Sequence, residues 1–382
     1  MRKEDIASLI VYVAMVVLAV VIGFVVLLPV MNNLASVSMP FNNSFLFAIV
    51  TILVAIVFNA ILIEVGHLLG AKLGGYKIAM LNILGITFFR KANKIKFGFK
   101  GFDGLTGETK VFPYKENSNP KAYLWFPLLF YIIEIGFVVG ICTWANGVKD
   151  QDLLKSIMWL MAASIMFACI GGIIILYNYV PYRLDSMTDG YKLTLLSKPI
   201  NKVAYNEMLR IEYDEFEGIA TNDTMVFDEI TDFTARVNTI KVYFYLAKKD
   251  YKKAIDLLTK IVAVPKNISV DTYNISQAQI VSLKLLSGEN VKEVEEYYTS
   301  LPSYTKKAIS EAVSIECDRA YLLVSGLIED SNGETNYAFG KYSKAIKRCL
   351  ESRIPVEKEL FDLSCERIKA KHPDWIIARS EN

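Results

Sequence analysis

Two short stretches of this 382-residue chain hold ionisable side chains in otherwise apolar surroundings. The first reads Ile63-Glu64-Val65-Gly66-His67-Leu68-Leu69-Gly70-Ala71-Lys72. Glu64 and His67 are three apart, so on a helix they share one face. The second begins Asn178-Tyr179-Val180-Pro181 and continues to Asp185 and Asp189-Gly190. Ionisable groups inside apolar segments are costly and mark function by default. A carboxylate can serve as a general base, and an imidazole with carboxylates can hold a metal ion. The spacing therefore points to one polar pocket built from the ends of two apolar helices.

Four apolar stretches must position that pocket: Ile6 to Val30, Ser44 to Leu73, Ala122 to Trp144 and Leu153 to Tyr179. Each is long enough to cross a bilayer, which takes about 20 apolar residues. The first is too long for a signal peptide and is read as a retained membrane helix. The segment from Met31 to Asn43 is uncharged, whereas ten Lys or Arg lie between Lys72 and Lys121. Basic residues collect on the cytoplasmic side. The N-terminus, the basic loop and the C-terminus are therefore expected to be cytoplasmic, in a multi-pass protein of the cell membrane. Glu64 and His67 then sit at the same cytosolic depth as Asp185 and Asp189.

The basic loop is expected to form strands and hairpins over Lys77–Ile83, Ile86–Arg90, Ile95–Phe102 and Thr109–Tyr114, rich in β-branched and aromatic residues. Ile95, Phe97 and Phe99 alternate, which predicts one greasy face, packed on lipid or offered to an extended peptide. From Lys198 onward the composition is that of a soluble helical domain. Tyr251-Lys-Lys-Ala254-Ile255 is echoed by Tyr342-Ser-Lys-Ala345-Ile346, and Pro265, Pro302 and Pro355 each follow an expected second helix. This pattern resembles tetratricopeptide repeats, although the two copies are out of step with a period of about 34 residues. Such stacks bind proteins in a groove, whereas a plain helical domain has none.

The fold class is thus an α-helical four-span membrane protein with a β-hairpin-rich cytosolic loop and an all-α C-terminal domain. The segments are residues 1–43, 44–198 and 199–382. Residues 1–200 carry 17 Lys and Arg against 11 Asp and Glu, a net of +6, and the remainder is −4. The acidic soluble half argues against nucleic acid, and basic residues beside the spans favour the lipid bilayer. Five cysteines without a paired spacing read as free thiols. Gly66/Gly70 and Gly136/Gly140 read as close-approach points between helices. Glu134, alone in the third stretch, reads as paired either with the polar pocket, a functional role, or with Lys and backbone groups. The run Glu212–Glu217 reads as a solvated face, and His372 as part of a solvated tail.

Glu64-x-Gly66-His67-Leu68-x-x-Ala71-Lys72-x-x-Gly75, with Asn178-x-x-Pro181 and Asp189-Gly190 downstream, resembles the two motifs of the site-2 protease family over roughly residues 44–195. The resemblance implies an intramembrane zinc endopeptidase. In it His67 and Asp189 match zinc ligands, Glu64 matches the general base, and Asn178 and Pro181 match the substrate-site pair. The chain departs from the family where Ile63 replaces the first histidine ligand. Catalytic zinc takes three protein ligands and an open position. Zinc is therefore expected to be weak or absent, unless Asp185 or Glu64 supplies the missing ligand. If Glu64 ligates, the base is lost. Three functions follow. The first is a pseudoenzyme that binds a membrane-anchored peptide or protein, with a further protein partner at the helical domain. The second is an active zinc endopeptidase cutting such a peptide near the cytosolic face. The third is an accessory subunit of a membrane transporter.

Overall fold

A computed structural model describes residues 3–37, 41–91, 94–99, 101, 107–115, 117–184, 187–217 and 224–375. It divides into two compact units, residues 1–202 and 203–382.

The first unit holds four helical segments long and apolar enough to cross a membrane: Ile6–Ser36, Asn43–Gly74, Pro120–Gly147 and Gln151–Asn178. The first three contain the stretches expected from sequence, and the fourth ends one residue before the expected Tyr179. The first is α1 (Lys3–Ile22) and α2 (Leu28–Val37), joined by a π-helical turn over Gly23–Leu27. Pro29 causes the turn, because its ring excludes the carbonyl four residues back from the normal ladder. Leu28 N–H instead reaches Gly23 O. Helices α3 (Phe41–Gly74), α4 (Pro120–Gly147) and α5 (Gln151–Asn178) pack on one another. Asn119 caps α4 and Asp150 caps α5, each accepting backbone N–H groups that the first turn leaves free.

Gly66 and Gly70 behave as the sequence suggested. A Cβ on Gly66 would lie 2.7 Å from Pro127 Cα, and one on Gly70 would lie 2.5 Å from Ala122 O. Only glycine lets α3 and α4 approach this closely. The second pair does not: a Cβ on Gly136 or Gly140 would meet nothing within 4 Å among the described residues. Both face outward on α4, so periodicity located the glycines but not their partner.

Between α3 and α4 lies an antiparallel sheet of β1 (Tyr76–Ile83), β2 (Ile86–Lys91), β3 (Lys94–Phe99) and β4 (Gly107–Pro113), in order β3-β2-β1-β4. All four expected strands are present, and Phe102 lies outside the described residues. Ile95, Phe97 and Phe99 are all exposed, beside Phe88 of the neighbouring strand. Strand β4 returns to the inner edge of the sheet, which carries Thr109 back to the end of α3. After α5 the short α6 (Asp189–Leu195) leads to α7 (Pro199–Glu217).

Residues 203–217 of α7 open the second unit, whose other regular elements among the described residues are all helices. These are α8 (Asp232–Ala247), α9 (Tyr251–Val262), α10 (Val270–Ser287), α11 (Val291–Ser300), α12 (Ser303–Ser310), α13 (Ile315–Leu327), α14 (Asn332–Ile346) and α15 (Ile354–Lys371). Helices α8/α9, α10/α11 and α13/α14 pack as consecutive hairpins. Gly288, at φ +86°, closes α10 as a left-handed cap. Pro265, Pro302 and Pro355 follow the second helices α9, α11 and α14 as expected, and Pro355 also lies in the first turn of α15. Tyr251 is partly buried whereas Tyr342 is fully buried, so the two sequence echoes are not equivalent in packing.

Two expectations for this unit are corrected. Glu215 pairs with Arg353 at 3.2 Å, Asp214 with Arg210 at 3.1 Å and Glu212 with Arg236 at 3.6 Å, so the acidic run is not merely solvated. His372 is not a loose tail either. It stacks on Trp375 at 3.8 Å, and its Nε2 lies 3.0 Å from both Gly326 O and Asp330 Oδ1. All five cysteines are free.

Candidate functional site

The site starts from a proline. Pro127 lies inside α4 and has no N–H, so the Tyr123 carbonyl loses its ordinary donor. His67 Nδ1, reaching across from α3, lies 3.2 Å from that carbonyl. A carbonyl only accepts, so this contact places a proton on Nδ1 and turns Nε2 the other way. The Tyr123 ring, 4.8 Å from the imidazole centre, fixes its tilt. The same kink opens the next rung. Leu128 N–H donates to Tyr179 Oη at 3.2 Å, and that hydroxyl donates to Leu124 O at 2.5 Å. A side-chain hydroxyl is thus inserted into the α4 ladder. One kink anchors His67 from α3 and Tyr179 from the end of α5.

Asp189 is the first residue of α6, behind a Thr188 cap that accepts from Tyr191 N–H. Its Oδ2 lies 3.2 Å from His67 Nε2 and accepts from Asn178 Nδ2 at 2.8 Å. Its Oδ1 lies 3.2 Å from Lys192 Nζ, one turn along. Burial alone would push the Asp189 carboxyl up. The Lys192 ammonium, His67 and the Asn178 hydrogen bond outweigh it and hold the carboxyl well below the usual range. Gly190 is needed here, since a Cβ would lie 2.2 Å from Tyr179 O.

Glu64 is buried one turn from His67. Thr109 of β4 donates to its Oε2. That strand is itself held, because Tyr123 Oη donates to Thr109 O at 2.7 Å. The two carboxylates therefore meet opposite company. Glu64 has a neutral hydroxyl, and Asp189 has a cation, an amide and the imidazole.

The structure brings His67, Asp189 and Asn178 into direct contact and sets Glu64 beside them. Pro181 is exposed at the start of the following loop. Asp185 lies outside the described residues. Ile63 is buried in a small apolar cluster with Ile174 and Ile175, with Tyr131 and Tyr179 packed against it. Among the described residues, no group of three His, Cys, Asp or Glu side chains comes close enough to hold a metal ion.

Sequence reasoning missed Thr109, Tyr123, Tyr179 and Lys192. Lys192 was readable, being three residues after Asp189 on a helix. Pro127 inside an apolar span was a signal for an open carbonyl. Nothing in the sequence distinguished Thr109 from other strand residues. Searches against protein-family models, curated proteins and solved structures return no match for this chain.

Proposed function

We propose that this chain is an integral membrane protein that binds a membrane-anchored peptide or partner protein without cleaving it. The observation carrying this reading is how the donors around Asp189 are spent. A catalytic zinc needs three protein ligands and a free position. Here His67 and Asp189 supply two. Lys192 places an ammonium on one oxygen of Asp189, where it opposes a dication, and Asn178 occupies the other. The position where the site-2 protease motif has a first histidine is Ile63, committed to packing with Ile174 and Ile175. The described donor set does not fit tightly held zinc. What it does supply is a rigid polar cluster at the ends of apolar helices, with Asn178 and Glu64 to hydrogen-bond an incoming backbone.

One observation favours a second reading, an active zinc endopeptidase. Nε2 of His67 and Oδ2 of Asp189 are 3.2 Å apart, a separation two ligands of one ion can have, and Glu64 remains nearby as a base. That reading requires Asp185 as third ligand. The two differ in what Glu64→Gln does in the native host. A binding protein leaves every membrane-anchored client uncut with or without Glu64, while deletion of the whole chain changes its partner's abundance. If the Glu64→Gln strain instead accumulates an uncut membrane-anchored protein, the binding reading is wrong and the peptidase reading stands.

A further inference from the structure

Away from the His67 cluster, a cavity of about 490 Å³ lies among α3, α4 and α5. Its walls are apolar, with Phe58, Phe130, Phe137 and Phe167 prominent, and Glu134 is its one ionisable lining residue. Glu134 stands midway along the 28-residue α4, at the depth of a bilayer centre if that helix spans a membrane.

Both oxygens of Glu134 are buried, and neither has a hydrogen-bond partner among the described residues. The nearest amide, that of Asn59, interacts with the Glu134 carboxyl but stops short of hydrogen-bond geometry. Asn59 donates Nδ2 to Ala55 O at 3.0 Å and to Phe167 O at 3.2 Å, which uses both its hydrogens. Its Oδ1 converges with Glu134 Oε2 over Gly171, at 2.4 and 3.0 Å from where a Cβ on that glycine would stand. Of these two residues only Glu134 lines the cavity, and its carboxylate, when ionised, brings two acceptor oxygens to an otherwise apolar wall. Acceptors massed in an apolar site are costly until a donor arrives.

The cavity's rim is open. Ile133, Phe137 and Leu160 are exposed along it, and the α4 lining from Phe130 to Val138 runs for about 12 Å at 1.5 Å per residue. Ala163 and Ser164 form a low wall on α5, the kind of surface a neighbouring helix approaches closely. Acyl chains can fill such a groove, but they bring no hydrogen-bond donor. An ammonium or guanidinium brings several and carries the complementary charge.

We propose that this groove docks a transmembrane helix of a partner protein bearing a Lys or Arg near its midpoint, with the Glu134 carboxylate receiving the basic group. The groove is separate from the His67 cluster, and its occupancy does not depend on whether that cluster holds a metal.

The test uses full-length protein in phosphatidylcholine vesicles with labelled synthetic helices of one Leu/Ala host sequence. One carries Lys at its centre, one carries Leu there, and one carries Lys displaced by two turns. The Lys-centred helix should associate at least tenfold more tightly than the other two, and Glu134→Gln should remove that advantage while leaving the Leu-centred helix unchanged. Ala163→Phe, which fills the groove, should weaken binding of the Lys-centred helix. The peptide comparison needs no variant, so a Glu134→Gln protein that fails to fold leaves it intact. Equal binding of the Lys-centred and Leu-centred helices, no binding of either, or an advantage that survives Glu134→Gln would each overturn the proposal. So would preference for a small hydrophobic amine over the Lys-centred helix.

Discussion

Glu357→Gln should be among the most damaging single substitutions in the second unit. Arg319 and Glu357 are both fully buried, and Arg319 Nη1 lies 2.9 Å from each oxygen of Glu357. Tyr243 and Tyr342 donate to the same carboxylate at 2.8 and 2.5 Å. Arg319 has little else: Nε reaches Ser282 Oγ at 3.2 Å, and Nη2 has no acceptor among the described residues. Glutamine keeps the shape and removes the charge, leaving the buried guanidinium with Glu316 as its remaining carboxylate neighbour. Breaking a buried pair from one side costs about 3–5 kcal/mol. For a unit of this size each kcal/mol moves Tm by about 2–4 °C, so the expected fall is about 6–20 °C. Removing both partners should cost far less. In Arg319→Met with Glu357→Leu, Tyr243 keeps Glu316 Oε1 at 2.7 Å and Tyr342 keeps the backbone carbonyl at residue 357 at 3.3 Å. The double variant should recover to within about 2 kcal/mol of the parent. Calorimetry on residues 203–382 reads both. A fall below 3 °C for Glu357→Gln, or a double variant as damaged as the two singles summed, would show that the pair does not carry this charge balance.

Gly70→Leu should destabilise the first unit in detergent by at least about 1–3 kcal/mol, because its Cβ meets the Ala122 carbonyl at 2.5 Å. Gly136→Leu, facing open space, is the matched control and should leave thermal unfolding unchanged. Asp318 gives a pH dependence. Burial chiefly, with Glu316 adding and Lys341 opposing, pushes its carboxyl up to about 6. A raised folded-state value means stability present below the ordinary carboxylate range and lost as pH rises through about 6. Asp318→Asn should therefore gain about 1 kcal/mol at pH 7.5 after allowing for solvent screening and nothing at pH 3.5, read by denaturant titration. Reporter fusions at Asn119 and Asn382 should both signal cytosol, and one at Asn43 the outside; an outside signal at Asn119 would invert the orientation drawn from the basic loop.

The elements were legible because their signals are local. Apolar runs gave the four long apolar helices to within about six residues at each end, and alternation gave Ile95, Phe97 and Phe99 a common exposed face. The pairing of His67 with Asp189 followed from two motifs whose helices end at one depth. What surrounds that pair was not legible, because it depends on packing. Pro127 frees a carbonyl that only a neighbouring helix can use, and Thr109 reaches Glu64 only because β4 returns to the inner edge of the sheet. The second unit shows the same limit. Glu215 looked like one more solvated carboxylate until Arg353, 138 residues later in the chain, stood beside it. Gly136 and Gly140 show the converse, a helix-contact spacing with no contact among the described residues.

Whether the His67–Asp189 cluster lacks the ligands for tightly held zinc decides between binding and cleavage, and elemental analysis of the purified, chelator-free protein measures it. The expected zinc content is far below one per chain and unchanged by His67→Ala. Losing one neutral imidazole from a three-ligand site should weaken binding by several kcal/mol, given about 10–16 kcal/mol for complete structural sites. About one zinc per chain, lost on His67→Ala or Asp189→Ala, would contradict the binding reading and place Asp185 or another ligand in the site.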